Sequence, residues 1–153
     1  MRTDFQNMLV EQDESVVTLT MNRPDVLNAI NTLMLEELTE AVEAAAHNDA
    51  IRCVVLAGAG QAFGAGQDLT EFGSAHAGSQ PLKVSEHLAK YHRLILGICH
   101  MPKPVIAAIQ GVATGISLNI ALAWMRRPGH WRSGWQTDPL AHIGSSKSLC
   151  TNR

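Results

Sequence analysis

Two glycine-rich turns carry the residue types in this chain that could do chemistry. The first turn is AGAGQAFGAGQDL at 57–69, and the second turn, 111–115, lies within PKPVIAAIQGVATGISLN at 102–119. Glycine lets the backbone approach a ligand closely. A helix that begins just after such a turn adds N–H groups and a favourable dipole. Each turn follows the end of a predicted strand, so the main chain at both turns could lie close to a bound ligand.

Several better-known motifs can be excluded. The glycines of the first turn stand at 58, 60, 64 and 66, so a dinucleotide-binding G-x-G-x-x-G fails at Phe63, and no helical pattern follows directly. The chain has no Gly-Lys pair, which excludes a phosphate-binding P-loop. Ser117 lies in GISLN, which is not the G-x-S-x-G of serine hydrolases. His87 and His92 are five residues apart, the wrong spacing for one helical face, and we expect them at the surface.

Composition indicates one folded domain with a substantial core. The chain has 153 residues, of which 46% are hydrophobic and 17% are charged. A net charge of −2 gives no electrostatic reason to bind nucleic acid or an anionic membrane. Cys53, Cys99 and Cys150 are too few and too scattered for a disulfide framework or a zinc site. We therefore expect no bound metal and a reduced, cytoplasmic setting.

Neither the N-terminal segment nor the longest uncharged stretch requires a membrane. The first 14 residues contain four acids, which excludes an ordinary secretory signal. Residues 105–125 carry no formal charge and are long enough to span a bilayer. Polar residues interrupt this stretch, namely Gln110, Thr114, Ser117 and Asn119. A buried strand, a turn and a helix explain it better.

Apolar periodicity predicts the element order β-β-α-β-α-β-α. Strands are expected near 8–12, 15–22, 51–57 and 105–109, and helices near 32–47, 82–99 and 116–123. Residues 59–66 are expected to form a glycine-rich loop, and Lys103, between two prolines, is expected to be solvated. Strands that alternate with helices favour an α/β fold with mostly parallel strands.

The two longer helices are predicted from their apolar stripes. In 32–47, with Asn31 as the N-cap, the stripe is Met34, Leu35, Leu38, Val42 and Ala45. Its glutamates are expected to face outward, namely Glu36, Glu37, Glu40 and Glu43. In 82–99 the stripe is Val84, Leu88, Tyr91, Ile95 and Ile98.

The charge balance changes abruptly near residue 123. Residues 1–123 hold 7 Lys and Arg against 13 Asp and Glu, a net charge of −6. Residues 124–153 hold 5 against 1, a net charge of +4, together with all three tryptophans. We therefore predict a core at 1–123 and a divergent tail at 124–153, poorly packed or altered by a change of reading frame. A basic, aromatic arm for nucleic acid is the alternative for this tail.

Three segments together resemble the crotonase (enoyl-CoA hydratase/isomerase) superfamily. They are LTMNRPDVLNAIN at 19–31, IRCVVLAGAGQAFGAGQDLTEF at 51–72 and PKPVIAAIQGVATG at 102–115, in the family's order and spacing. AGQDL is similar to the branch that contains phenylacetate-pathway acyl-CoA isomerases. The resemblance implies a truncated α/β core with the crotonase-like ββα spiral and an acyl-CoA substrate. It implies no cofactor beyond the coenzyme A of that substrate, and a homo-oligomer, either a trimer or a hexamer.

The resemblance also assigns roles to individual residues. It implies that the N–H groups of Gln67 and Ile116 form an oxyanion hole, which would stabilise the negative charge that a thioester carbonyl gains on becoming an enolate. It implies coenzyme A contacts at two loops, with the residues Asn28, Ala29, Ala65, Gly66, Asp68 and Leu69. The two Asx residues in this set could instead simply cap turns.

Two positions depart from the family pattern. Ile116 stands where the family usually has glycine, and a β-branched residue tolerates positive φ poorly, although helical backbone there would still aim its N–H correctly. Asn119 stands where hydratases have a catalytic glutamate, and an amide cannot act as an acid or base; it could orient a water or a carbonyl, or merely pack. Asp138, the only acid after residue 123, has no matching surroundings. The chain is thus either an acyl-CoA hydratase or isomerase, or an inactive remnant that binds CoA or a homologous subunit.

Overall fold

A four-stranded sheet forms the centre of the fold in the computed structural model, which describes residues 2–71 and 84–123. The strands of the fold are β1 Met8–Asp13, β2 Val16–Met21, β3 Cys53–Gly58, β4 Ala62–Gly64, β5 Val105–Ala108 and β6 Val112–Ala113. The four-stranded sheet has the order β1-β2-β3-β5. β1 and β2 are antiparallel, whereas β2–β3 and β3–β5 are parallel, which confirms an α/β fold with mostly parallel pairing.

Within the described residues, three helices contribute to the main hydrophobic cluster: α1 is Thr32–His47, α2 is Val84–Cys99 and α3 is Gly115–Ala123. α1 begins as the sequence predicts, because the Asn31 side chain accepts a hydrogen bond from the Met34 N–H. Its predicted apolar stripe is buried in the main hydrophobic cluster. A short 3-10 turn, Pro24–Val26, lies between β2 and α1. Burial of one apolar stripe explains why this segment is a helix.

One glutamate of α1 does not face outward. Glu37 is only 4% exposed. Its carboxylate oxygens accept hydrogen bonds from the Gln6 and Asn7 N–H groups, at 2.7 and 2.9 Å. The prediction for Glu37 is wrong because a segment thirty residues away along the chain supplies its partners. Charge-assisted bonds of this kind compensate the carboxylate for lost water.

The buried face of α2 is rotated from the predicted stripe. Tyr91, Leu94 and Ile98 are buried, whereas Leu88 is 51% exposed. The prediction included Leu88 and omitted Leu94, and it is wrong for both. The face is centred on Tyr91 and Ile98, so Leu88 lies at one edge and Leu94 at the other, and packing against the neighbouring helices selects the Leu94 side.

Lys103 is not solvated as predicted. Its ammonium group donates hydrogen bonds to the carbonyls of Ala45 and Asn48, at 2.7 and 2.6 Å. These carbonyls belong to the C-terminal end of α1, where the helix leaves acceptors unpaired and where a positive charge is favoured. Lys103 therefore joins the start of β5 to the end of α1.

A small second sheet brings the two glycine-rich turns together. The predicted loop at 59–66 contains β4, which pairs in parallel with β6 through Ala62 and Val112. The Phe63 N–H donates to the Gln110 carbonyl at 2.8 Å, and the Thr114 N–H donates to the Gly64 carbonyl at 3.1 Å. The uncharged stretch after residue 104 holds the predicted strand as β5 and the predicted helix as α3, whereas β6 lies within the predicted turn at 111–115. No helix within 2–71 or 84–123 is long and apolar enough to cross a membrane. The predicted tail at 124–153 lies outside the described residues.

Candidate active site

The two glycine-rich turns touch at a pair of glycines. Gly66 has φ +95° and Gly115 has φ +55°, a region of backbone space that favours glycine. A Cβ placed on Gly66 would lie 3.6 Å from the Gly115 Cα, and one placed on Gly115 would lie 3.5 Å from the Gly66 Cα. These two glycines immediately precede Gln67 and Ile116. The structure therefore brings the two predicted N–H donors to neighbouring positions.

The N–H of Gln67 points away from the loop that precedes α1. The Gly66 carbonyl accepts a hydrogen bond from the Ile30 N–H at 2.7 Å, and the Asp68 N–H donates to the Ile30 carbonyl at 3.0 Å. No described peptide bond is cis. The carbonyl and the N–H of one trans peptide group point in opposite directions. Because the Gly66 carbonyl faces Ile30, the Gln67 N–H faces the other side.

Ile116 lies in the first turn of α3, where N–H groups have no acceptor within the helix and the helix dipole is positive. The positive φ falls on Gly115 and not on Ile116, so the β-branched side chain is compatible with its backbone. The side chain is half-buried and packs against the main cluster. Substituting isoleucine for the family's glycine thus leaves the main-chain donor in a helical N-terminus.

Ser117 fixes the contact between the turns. Its side chain is buried, and its Oγ accepts a hydrogen bond from the Gly66 N–H at 3.2 Å. A Cβ on Gly64 would collide with this side chain, lying 2.7 Å from the Ser117 Cβ. The sequence offered only a failed hydrolase motif at Ser117. Its small size opposite Gly64 is the signal that sequence reasoning missed.

Asn28 is a clamp between loops. The residue is fully buried, with φ +55°. Its Oδ1 accepts from the Arg23 N–H at 2.9 Å, and its Nδ2 donates to the carbonyls of Ala59 and Ala62 at 2.9 and 2.8 Å. The side chain thus bonds to the protein backbone on all sides. A contact from Asn28 to a ligand would come from its main chain.

Asp68 braces the same loops from the other end. Its Oδ2 pairs with the Arg23 guanidinium at 2.8 Å, and its Oδ1 accepts from the Thr70 N–H and hydroxyl at 3.1 and 2.6 Å. The same guanidinium nitrogen donates to the Ala29 carbonyl at 2.7 Å. The Thr70 hydrogen bond and then Arg23 lower the pKa of Asp68. The carboxylate is therefore held ionised, and both of its oxygens accept hydrogen bonds from protein groups.

The other predicted residues lie around this contact. Ala65 donates its N–H to the Leu27 carbonyl at 2.9 Å, so the loops with the predicted coenzyme A contacts are paired with each other. Leu69 is 74% exposed. Asn119 is exposed on α3, three residues after Ile116 and therefore on the same helical face. The ligand contacts of all these residues stay predictions.

Tyr91 is a residue of this site that the sequence indicated only as core. It is 5% exposed, and its hydroxyl donates to the Gln67 Oε1. Burial and then the charge of Glu71 raise the pKa of Tyr91. The Glu71 carboxylate accepts from the Thr32 N–H and hydroxyl at 2.9 and 2.8 Å, at the start of α1. In residues 2–71 and 84–123, no three His, Cys, Asp or Glu side chains are grouped so as to hold a metal.

Comparison with curated proteins gives relatives with related names. The chain is 38% identical to 1,2-epoxyphenylacetyl-CoA isomerase of Escherichia coli K12 over 115 residues, which is 75% of this chain and 44% of that protein. It is 31% identical to human enoyl-CoA delta isomerase 2 over 150 residues, which is 98% of this chain and 38% of that protein. The chain thus spans less than half the length of these relatives.

Solved structures and a family profile give names related to those of the curated relatives. The fold matches an enoyl-CoA hydratase of Mycobacterium smegmatis with a TM-score of 0.71 and 37% identity, covering 78% of this chain and 46% of that one. It matches an enoyl-CoA hydratase of Bacillus anthracis with a TM-score of 0.70 and 33% identity, covering 80% and 46%. The sequence profile of the enoyl-CoA hydratase/isomerase family matches residues 11–124, most of the chain. The chain therefore belongs to the enoyl-CoA hydratase/isomerase (crotonase) family.

Proposed function

We propose that this chain binds an acyl-CoA thioester and polarises its carbonyl with the N–H groups of Gln67 and Ile116. The contact between Gly66 and Gly115 supports this proposal, because each of these glycines immediately precedes one of the two donors. The names of the relatives support the substrate class, since both curated isomerases are named for CoA thioesters. Their phenylacetyl and enoyl substrates are not carried over to this chain.

The chemistry that such a pair of donors supports is enolate formation. Removing a proton from the carbon beside a thioester moves negative charge onto the carbonyl oxygen. Two N–H groups fixed in advance stabilise that charge without having to reorient, and the N-terminus of α3 adds its dipole. Loss of one such donor typically lowers the rate about 10²–10³-fold.

The residues of the site are less suited to proton transfer than to polarising a carbonyl. Asn119, on the Ile116 face of α3, carries an amide that neither gives nor takes a proton at neutral pH. The two described carboxylates that closely follow Gln67 are both engaged: Asp68 with Arg23 and Thr70, and Glu71 with Thr32. A depressed pKa also makes Asp68 a poor base. We therefore expect binding and polarisation with very weak crotonyl-CoA hydration, at least about 10²–10⁴-fold below an ordinary hydratase.

The second candidate is a non-catalytic protein that binds CoA or a homologous subunit. The engaged carboxylates and the amide at Asn119 favour it. So do the exposed apolar side chains on β6 and α3, which would be buried in an assembly; they are Val112, Leu118 and Leu122. A homo-oligomer, either a trimer or a hexamer, is part of both proposals.

The test separates binding, polarisation and turnover in one purified chain of verified mass. Butyryl-CoA labelled at the thioester carbonyl is titrated, and its carbonyl stretch is followed by isotope-edited infrared spectroscopy. We expect binding with a shift of the stretch to lower frequency. Exchange of the α-protons with deuterated solvent then divides the candidates: exchange above the buffer rate supports the enzyme, and a shift without exchange supports the binding protein. Binding without any shift contradicts the oxyanion hole.

A further inference from the structure

Tyr91 reaches from α2 to the first turn. Its ring belongs to the main hydrophobic cluster, and its hydroxyl donates to the Gln67 Oε1. Filling the core would require only an apolar ring, whereas a buried hydroxyl costs free energy unless it is bonded. The hydroxyl thus makes a specific link between α2 and the residue that carries the first donor.

We propose that Tyr91 is a positioning residue that fixes the main-chain N–H of Gln67 for polarising the substrate carbonyl. The inference rests on the proposed function. Both peptide groups that flank Gln67 bond to Ile30, which holds the residue from the side of the loop before α1. Tyr91 holds its side chain from α2. Gln67 is thereby anchored by two separate elements.

The hydroxyl acts as a hydrogen-bond donor and not as an acid or base. Burial, with the charge of Glu71, raises the pKa of Tyr91. The phenol therefore stays protonated throughout the neutral range, as a donor to an amide oxygen must. The effect of Tyr91 on substrate passes through Gln67, whose N–H must lie within a fraction of an ångström of its best position.

The variant Tyr91→Phe removes only the hydroxyl, and Thr39→Val is its matched control. Thr39→Val also removes one partly buried hydroxyl bond, which runs at 2.7 Å to the Leu35 carbonyl within α1 and does not involve Gln67. We expect Tyr91→Phe to displace the Gln67 amide signal in the nitrogen–proton NMR spectrum. We expect nearly unchanged affinity for butyryl-CoA, a smaller carbonyl shift, and α-proton exchange slower by about tenfold, less than the loss of a whole donor. Thr39→Val should behave as the wild type does.

A second variant protects the test against misfolding of Tyr91→Phe. Gln67→Met removes the amide but keeps a similar side-chain length. It should reproduce the smaller carbonyl shift, and adding Tyr91→Phe to it should change nothing further. Additive losses, or a full carbonyl shift in Tyr91→Phe, would overturn the role of Tyr91. A wild-type chain that binds butyryl-CoA with no carbonyl shift would instead overturn the proposed function, and the role of Tyr91 with it.

Discussion

The two glycine-rich turns that meet at the site are held in place by different means. Buried polar side chains hold the first turn: Asn28 clamps it to the preceding loop, and the Arg23–Asp68 pair braces it. The second turn relies on Gly115, on the small Ser117 and on the start of a helix whose outer residues are exposed. The first N–H is therefore fixed by many hydrogen bonds, and the second depends on backbone conformation and close contact.

This difference has a consequence for substitution. A change in the first turn removes buried hydrogen bonds and should first lower stability. A change in the second turn removes little packing and should first alter polarisation of the substrate. Matched variants of the two turns test this difference.

The largest expected effect is on activity, in Ile116→Pro. Proline is tolerated in the first turn of a helix, where it deletes an N–H that has no acceptor within the helix. We expect α-proton exchange to fall by about 10²–10³-fold while the chain stays folded. Ile116→Ala, which keeps the N–H and shortens the side chain, is the control. Equal exchange rates in the two variants would show that this N–H does not contact the carbonyl oxygen.

The next largest effect is a loss of stability, which we expect at one asparagine and not at another. Asn28→Ala leaves the Arg23 N–H and the carbonyls of Ala59 and Ala62 without their partner, so the free energy of unfolding should fall by about 3 kcal/mol. Asn119→Ala, at an exposed position in α3, should change it by less than about 0.5 kcal/mol. Urea unfolding of both variants measures the difference. Similar losses would mean that the two turns are braced alike.

A smaller effect separates the two touching glycines. Alanine at Gly66 would need φ +95° and would meet the Thr114 carbonyl oxygen at 3.1 Å, so we expect a loss of about 2 kcal/mol. Alanine at Gly115 would need φ +55°, within the left-handed region, and would meet only ordinary contacts at 3.5 Å, so we expect about 1 kcal/mol. Thermal unfolding of both variants checks the order. A larger loss at Gly115 would reverse the assignment of the more constrained turn.

Sequence predicts best what depends on neighbouring residues. The α1 stripe and its Asn31 cap follow from local spacing, and the fold class follows from the order of elements. Predictions were wrong for Glu37 and Lys103, because each bonds to a segment that is distant along the chain. Local pattern shows only that such residues are charged, and not which buried acceptor or donor they will meet.

The same limit applies to the site. Glycine spacing and the family resemblance indicated Gly66 and the donors at Gln67 and Ile116. The pairing of β4 with β6, which brings the donors together, was hidden in a predicted loop because such short strands carry no periodic signal. The sequence placed Tyr91 in an apolar stripe, and this placement does not depend on whether its hydroxyl is hydrogen-bonded. Its partner becomes visible only once α2 is packed beside the first turn.

The last expected effect depends on pH and concerns the ion pair that holds the first turn. Thr70 and Arg23 lower the pKa of Asp68 in the folded chain below its ordinary value, so ionised Asp68 stabilises the fold. The contribution is fully present above the unfolded pKa, about 3.9, and is lost as pH falls through the folded value. Asp68→Asn should therefore lower the free energy of unfolding by about 1–2 kcal/mol at neutral pH, through loss of a charge-assisted bond.

The gap between the wild type and Asp68→Asn should stay constant from neutral pH down to about 4 and close only below it. Asp25→Asn, an exposed change in the same loop system with no described ion pair, is the control and should show no such gap. Urea unfolding of the three chains across this range measures it. A gap that closes between pH 5 and 7 would mean that a group other than Asp68 holds the first turn. In that case the Asp68 carboxylate would stabilise the first turn no more than Gly115 stabilises the second turn.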